Sequence, residues 1–511
     1  MHQPAWATVS PSSLSSSTPS KVQNFIRGAW QDSKYYFDIP DPLQGGHFIS
    51  VPNTSISEAY EFIQVCRAVP KSGLHNPLKN VSRYRLYGEI CMKVAQNLHN
   101  GEVFEYFVQL IQRTAPKSRP QAVGELTVVR AFFENFCGDQ VRFLARGFSN
   151  PGDRDGQQTQ GYRWPFGAVC VISPFNFPLE IPVLQMMGAL FMGNMVTIKP
   201  DPKVAVCLEQ FLRMMIDCGM PTGDVSLING GGDAIEHMVK QDSFRLIQFT
   251  GSSKIANHLS TISKGKVKIE DAGFDWKILG PDVQDFDSVC KTSDQDAYEF
   301  SGQKCSAQSL LFIHRNWESS NFIPKIEELA SKRSLSDLTI VPLLTWSNPK
   351  IQSHIDKLLE IPETKLLFGG KPLTNHSIPE VYGAYFPTAI YVPLDKIIEN
   401  FELVTTELFG PLQIVTIYED LEPVLNVLEM MENNLTAAVV SNDLGFIRQV
   451  LGRTINGTTY AGIRARTTGA PQNHWFGPCG DPRAAGIGSP ESIKAVWSGH
   501  REIIMDTVPT E

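Results

Sequence analysis

The sequence holds no Cys-x-x-Cys pair, no run of Lys and Arg, and no apolar stretch long enough to span a bilayer. Each absence removes a class of function. The nine cysteines, at 66, 91, 137, 170, 207, 218, 290, 305 and 479, are scattered and odd in number. That argues against a disulfide framework or a metal site and fits a reducing compartment. At least one thiol is free of intramolecular pairing. Forty-five basic against 53 acidic side chains give a formal net charge of −8. This balance argues against nucleic acid or an anionic membrane as the main partner. The most apolar region, residues 181–196, is interrupted by Gln185, Gly188, Gly193 and Asn194 and reads as a buried helix. A Gly-x-Gly-x-x-Gly fingerprint and a Gly-Lys-Ser/Thr phosphate loop are also missing. Spacing alone therefore points only weakly to a nucleotide.

What is present is enough chain, 511 residues at 42% hydrophobic, for two to four structural units. Residues 1–21 are rich in Ser and Pro and are expected to be a disordered tail. They carry no apolar core for secretion, and the first Arg is Arg27, late for a mitochondrial presequence. From about residue 60 to 144 the pattern is helical, with Tyr84, Leu86, Ile90, Val94 and Leu98 forming a core stripe. The polar, glycine-rich residues 156–161 read equally as a projecting hairpin or a plain surface loop.

The period then changes. Strand-like runs at 168–172, 195–198, 225–228, 246–249 and 267–269 alternate with helical segments at 179–192, 204–218, 234–239 and 254–263. Such alternation predicts an α/β fold with a parallel sheet, whose ligands bind beyond the carboxyl ends of the strands. Ser173 to Asn176, Lys199-Pro200, Asn229 to Gly232, Thr250 to Ser253 and Glu270-Asp271 occupy those ends. A second alternation from 277 to about 463, with strands at 310–313, 366–368 and 413–417, predicts a second α/β unit. The last forty residues, rich in Gly and Pro, read as an ordered loop before a final strand at 502–505.

Cys305 stands among Gly302, Gln303, Lys304 and Ser306, polar company for a residue that is more often a small core side chain. A cation or backbone donors beside it would lower its pKa and make it a nucleophile. Asn176, after a strand, could donate to an oxyanion, although between prolines it also reads as a turn residue. Glu270 in a partly apolar site could take a proton from water; a solvated strand-end carboxylate is the plainer alternative. Glu407 and Lys199 could hold sugar hydroxyls or be ordinary surface charges.

Together these segments resemble the aldehyde dehydrogenase superfamily, in that family's order. Pro174-Phe175-Asn176-Phe177-Pro178, Lys199-Pro200, Phe249-Thr250-Gly251-Ser252, Glu270, Cys305 and Glu407-Leu408-Phe409-Gly410-Pro411 carry the likeness. Gly302-Gln303-Lys304-Cys305-Ser306-Ala307 is similar to the nucleophile loop of the delta-1-pyrroline-5-carboxylate dehydrogenases. Thr468-Gly469-Ala470, with Phe476-Gly477, resembles their aldehyde anchor loop, and residues 473–478 resemble the plant and protist branch.

The resemblance implies a Rossmann-type NAD-binding domain (22–147 and 166–270), an α/β catalytic domain (271–495) and a β-flap for oligomerisation (148–165 and 496–511). It implies Cys305 as nucleophile, Asn176 as oxyanion donor and Glu270 as base. NAD would meet Ser173, Phe175, Lys199, Gly251, Ser252, Glu407 and Phe409. L-glutamate γ-semialdehyde would meet Ser306, Gly469, Ala470 and Phe476. It further implies a homo-oligomer built on a dimer, in the mitochondrial matrix. The chain departs from the superfamily after Glu270, where Asp271-Ala272-Gly273-Phe274 replaces the usual Leu-Gly-Gly-Lys, and at Pro202, where many NAD-preferring members have Glu. Two alternatives stay open: a dehydrogenase of another ω-semialdehyde, and a catalytically silent NAD-binding homologue.

Overall fold

The computed structural model describes residues 3–271 and 273–507. A seven-stranded sheet runs in the order Val267–Asp271, Leu246–Gly251, Ala168–Ile172, Met195–Lys199, Val225–Leu227, Asn24–Ile26, Ala29–Gln31. Its first five strands are parallel, and the last two pair antiparallel. Chain order reverses between Ala168–Ile172 and Leu246–Gly251, and this is the crevice where an open parallel sheet receives its ligand. The loops at Ser173 and Gly251 lie on either side of it.

A second seven-stranded sheet runs Lys365–Phe368, Thr388–Tyr391, Leu412–Tyr418, Gln308–His314, Asp275–Leu279, Thr436–Val440, Thr458–Ala461, parallel except for its first pair. The strands at 275–279, 388–391, 436–440 and 458–461 escape a reading by period. The first three are buried along nearly all their length, Asp275 and Lys277 included, so no exposed position marks a period, and Thr458–Ala461 is only four residues long. Glu270 sits near the end of the last strand of the first sheet, and Asp275 opens the first strand of the second. The carboxyl ends of one sheet thus meet the amino ends of the other. Glu180–Phe191, all twelve residues buried, is the helix that the broken apolar run suggested. No helix among the described residues is long and apolar enough to cross a membrane.

Residues 148–165 form a hairpin, Phe148–Pro151 with Gln157–Pro165, and the chain's last strand, Ser498–Asp506, pairs along it from Ser498↔Pro165 to Asp506↔Gln157.

Two expectations fail. The described part of the tail is ordered: Ala7, Val9 and Leu14 are buried, and Trp6 stacks on Phe107 at 5.5 Å. Tyr106 donates to the Val9 carbonyl (2.9 Å) and Arg113 to that of Leu14 (2.8 Å). Four apolar side chains spaced along a serine-rich segment suffice to anchor it, and average composition hides them. The last forty residues also contain a helix, Pro490–Trp497, opened by Ser489, whose side chain accepts from the Ser492 N–H at 3.3 Å. Ser-Pro-Glu is a helix start in its own right. Ile493 and Trp497 of this helix press on Gly188, where a Cβ would stand 3.1 Å from the indole.

Candidate active site

The nucleophile loop is strained before it is reactive. Phe300 and Ser301 both have left-handed backbone, φ 53° and 49°, and Gly302 follows at 71°. A Cβ at Gly302 would lie 2.1 Å from the Gly410 carbonyl, so only glycine fits. Gln303 locks the turn: its amide donates to the Phe300 and Pro342 carbonyls (3.2 and 3.0 Å) and accepts from the Leu344 N–H (2.9 Å). These bonds leave Cys305 partly accessible beside Phe177, Ile181, Phe476 and Ile487, with its thiol near enough to the Glu270 carboxyl for each to shift the other's pKa.

The expected depression of the thiol pKa is not what the structure shows. Burial pushes the Cys305 thiol well above its ordinary value, and the carboxyls of Glu270, Asp275 and Glu407 push it further. Lys304, the nearest cation in sequence, turns away and pairs with Glu299 at 2.6 Å. The resting group is therefore a neutral thiol beside a base.

That base is Glu270. It is 2% exposed; one oxygen lies 3.4 Å from the Thr250 hydroxyl, and the other has no partner among the described residues. Burial pushes its pKa to about 7, the neighbouring Cys305 thiol and the Thr250 hydroxyl pull it down, and Asp271 raises it. Asp271 itself points the other way, as successive strand residues must, toward Ser253 and Arg483. Its neighbourhood does not compete with Glu270 for the thiol.

Asn176 is 2% exposed with an unpartnered side-chain oxygen. Its loop is clamped by a residue that sequence reasoning missed. Lys117, buried, donates to the Asn176 carbonyl (2.6 Å) and to Glu125 (2.8 Å), with Phe177 and Phe300 ring centroids at 4.4 and 4.6 Å from its ammonium. Glu125 in turn accepts from the N–H groups of Leu179 and Glu180, satisfying the start of the helix that follows. Lys117 lies between two prolines in a polar link, and that placement was the one available signal.

The crevice beyond the first sheet gathers the remaining polar groups. Ser173 is buried with an unpaired hydroxyl. The Lys199 ammonium is held below its ordinary pKa by burial, with Asp201 opposing. Ser252 precedes the helix Ser253–Ile262 without capping it, so first-turn N–H groups stay open. A Cβ on Gly251 would stand 2.7 Å from the Phe249 ring. Phe175 meets Phe409 edge-to-face at 5.8 Å, and Glu407 accepts from the Gly273 N–H while burial raises its pKa well above the usual range. Neither Lys199 nor Glu407 is an ordinary surface charge.

Beside the nucleophile loop opens a cavity of about 320 Å³, with Ser306, Thr468, Gly469 and Ala470 on its wall; Lys304 and Ser306, which flank Cys305, line it and Cys305 does not. Phe476 is not on that wall; it packs beside Cys305 and Phe177. The 467–470 loop hangs from Asp296, which accepts from the Thr467 N–H (2.8 Å) and the Thr468 hydroxyl (3.3 Å) and pairs with buried Lys277 at 2.7 Å. Sequence reading missed this pair. A Cβ on Gly469 would fall 1.6 Å from the Tyr460 hydroxyl, so the loop needs glycine there.

A thiol beside a buried carboxyl and against Phe177 of the Asn176 loop, between a doubly wound sheet and an open pocket, defines a thiol-dependent enzyme of carbonyl chemistry. A family model described as "Aldehyde dehydrogenase family" matches residues 30–496, and the chain belongs to that family. It is 53% identical over 513 residues to a mitochondrial delta-1-pyrroline-5-carboxylate dehydrogenase of Arabidopsis thaliana, covering 99% of this chain and 92% of the relative. An alpha-ketoglutaric semialdehyde dehydrogenase of Bacillus subtilis is 26% identical over 438 residues, 83% of this chain and 86% of the relative. The crystal structure of an NAD-dependent aldehyde dehydrogenase from Sinorhizobium meliloti superposes with a TM-score of 0.82 at 18% identity, covering 97% of both chains.

Proposed function

We propose that this enzyme oxidises L-glutamate γ-semialdehyde, the open form of delta-1-pyrroline-5-carboxylate, to L-glutamate, with NAD as cofactor. One observation carries the reading. Ser306 and the Gly469-Ala470 backbone share the wall of a pocket beside a thiol that already faces a base. A hydroxyl and backbone N–H groups suit a carboxylate.

Cys305 gives its proton to Glu270 as its sulfur bonds the aldehyde carbon, and the carbonyl oxygen becomes an oxyanion. The Asn176 amide and the Cys305 backbone N–H hold that oxygen. NAD, when bound, supplies the hydride acceptor for this chemistry. Ser173, Phe175, Lys199, Gly251, Ser252, Glu407 and Phe409 would hold it. An unpaired buried hydroxyl, an under-compensated cation and an uncapped helix start fit its riboses and pyrophosphate. Once that first proton has passed to solvent, the Glu270 carboxylate takes a proton from water, whose oxygen adds to the carbonyl carbon of the Cys305 thioester and displaces the sulfur; the acid is released and the thiolate regains a proton from Glu270.

The substrate reading is tested by kcat/KM for L-glutamate γ-semialdehyde, succinate semialdehyde and propanal. The expected order follows carboxylate placement, with propanal poorest by about a hundredfold or more. Equal turnover of propanal ends the carboxylate-pocket reading. A parent protein that turns over none of the three, yet binds NAD, would be a silent homologue.

Residues 22–147 and 166–270 form the cofactor domain in this reading, 271–495 the catalytic domain, and 148–165 with 496–511 the oligomerisation flap. The outer strand of the flap, Ser498–Asp506, exposes Ile504 and Met505 on an unpaired edge, which favours a homo-oligomer built on a dimer. Light scattering at micromolar concentration is expected to give twice the chain mass or a multiple of it, and a pure monomer overturns this. A mitochondrial matrix location is proposed from the Arabidopsis relative. Import of the full chain into isolated mitochondria checks it, and failure to enter refutes it.

A further inference from the structure

The cavity beside Cys305 is walled by three carboxyls, those of Glu125, Glu180 and Glu299. Two of them are fully engaged. Glu125 pairs with Lys117 and accepts two backbone N–H groups, and Glu299 pairs with Lys304 at 2.6 Å. Glu180 is different. It is only 8% exposed, and among the described residues its side chain makes no hydrogen bond and no ion pair. A carboxyl closed off from solvent except toward the cavity, and without a partner, costs stability until something in the cavity meets it.

The cations on the same wall sort in the same way. Lys117 and Lys304 are the partners just named, while Arg466 makes no hydrogen bond or ion pair among the described residues. The cavity therefore offers one uncommitted anion, buried, and one uncommitted cation, exposed. The complement of such a pair is a zwitterion.

We propose that Glu180 receives the α-ammonium of the substrate, while Ser306, the Gly469-Ala470 backbone and Arg466 receive its α-carboxylate. This rests on the reading of the substrate as an amino-acid semialdehyde and adds the group that distinguishes it from a plain ω-semialdehyde. Glu180 opens the helix Glu180–Phe191, four residues after Asn176, so the residue that reads the amino group is held close in the chain to the oxyanion donor. Burial raises the Glu180 pKa to about 8, with Glu125 and Glu270 adding to it and Lys117 and Lys304 opposing. An ammonium in contact would reverse that shift.

The test compares 2-amino-5-oxopentanoate (the γ-semialdehyde) with 5-oxopentanoate, which keeps the chain and carboxylate and lacks the amino group. In the parent the amino substrate is expected to have the higher kcat/KM. Glu180→Gln should lower kcat/KM for the amino substrate about 10- to 100-fold, mainly through KM, and leave that for 5-oxopentanoate within about threefold. Equal losses on both substrates, or a loss confined to kcat, would make Glu180 a structural or proton-relay group and overturn the assignment. Binding to the parent needs no variant: L-glutamate should bind more tightly than glutarate, and equal affinity also overturns it. A parent that prefers both oxo acids to propanal but ignores the amino group sinks only this inference. A parent indifferent to the carboxylate sinks the substrate reading itself.

Discussion

Cys305→Ala lowers aldehyde oxidation by at least about 10⁴-fold and leaves cofactor binding and the unfolding temperature near those of the parent. The loss is large because no other thiol is placed to substitute. Cys66, Cys91, Cys170, Cys207, Cys218 and Cys290 are buried, and none of the nine is disulfide-bonded. Retention of the fold is expected because the loop is held by Gln303 and by the glycine contact at Gly302, neither of which uses the sulfur. The resting thiol also makes a kinetic signature. With burial and three carboxyls holding its proton on, Cys305 should react with iodoacetamide slowly near neutral pH, and faster as pH rises. Intact-mass measurement of alkylation against pH, with Cys137 and Cys479 removed to clear the accessible background, reads this directly. Rapid labelling of Cys305 at pH 6, or a Cys305→Ala protein as active as the parent, refutes the assignment.

The sequence read well where chemistry follows secondary structure, and poorly where it depends on pairs of distant charges. Strand ends are visible from period, so the pattern alone puts Ser173, Asn176, Lys199, Ser252 and Glu270 at the carboxyl edge of a sheet. The structure brings them to that edge. The thiol was misread because a lysine adjacent in sequence need not be adjacent in space. The left-handed backbone of Phe300 and Ser301 carries Lys304 toward Glu299 instead. Lys117–Glu125 and Lys277–Asp296 were invisible for a related reason: a charged residue is assigned to the surface until its partner is seen to cancel it. The same blindness hid Glu180, whose importance is that its carboxyl makes no hydrogen bond or ion pair among the described residues. The ordered N-terminal segment failed on averaging, since Trp6, Val9 and Leu14 are too few to change a composition and enough to dock a chain.

Glu270→Gln is expected to trap the enzyme rather than merely slow it. The amide can still accept a hydrogen bond from the thiol, but it takes no proton, so both the attack and the hydrolysis lose their base. Steady-state kcat should fall about 10²- to 10⁴-fold, and mass spectrometry should find the acyl group retained on Cys305. In the parent, kcat/KM should rise with pH through about 7 as the carboxyl ionises, and this limb should vanish in the variant. Stability should move in the opposite direction. Burial raises the Glu270 pKa from 4.5 to about 7, so the folded state favours the protonated acid. The preference is fully present below pH 4.5 and is lost as pH rises through about 7. At pH 8 the folded parent therefore carries a buried carboxylate at a cost of about 3 kcal/mol, which the neutral amide escapes. Denaturant unfolding should show Glu270→Gln more stable than the parent at pH 8 and level with it near pH 4.5. A variant no more stable at pH 8, or one that releases product as fast as the parent, would mean that the proton on Glu270 is held by something other than its burial beside the thiol.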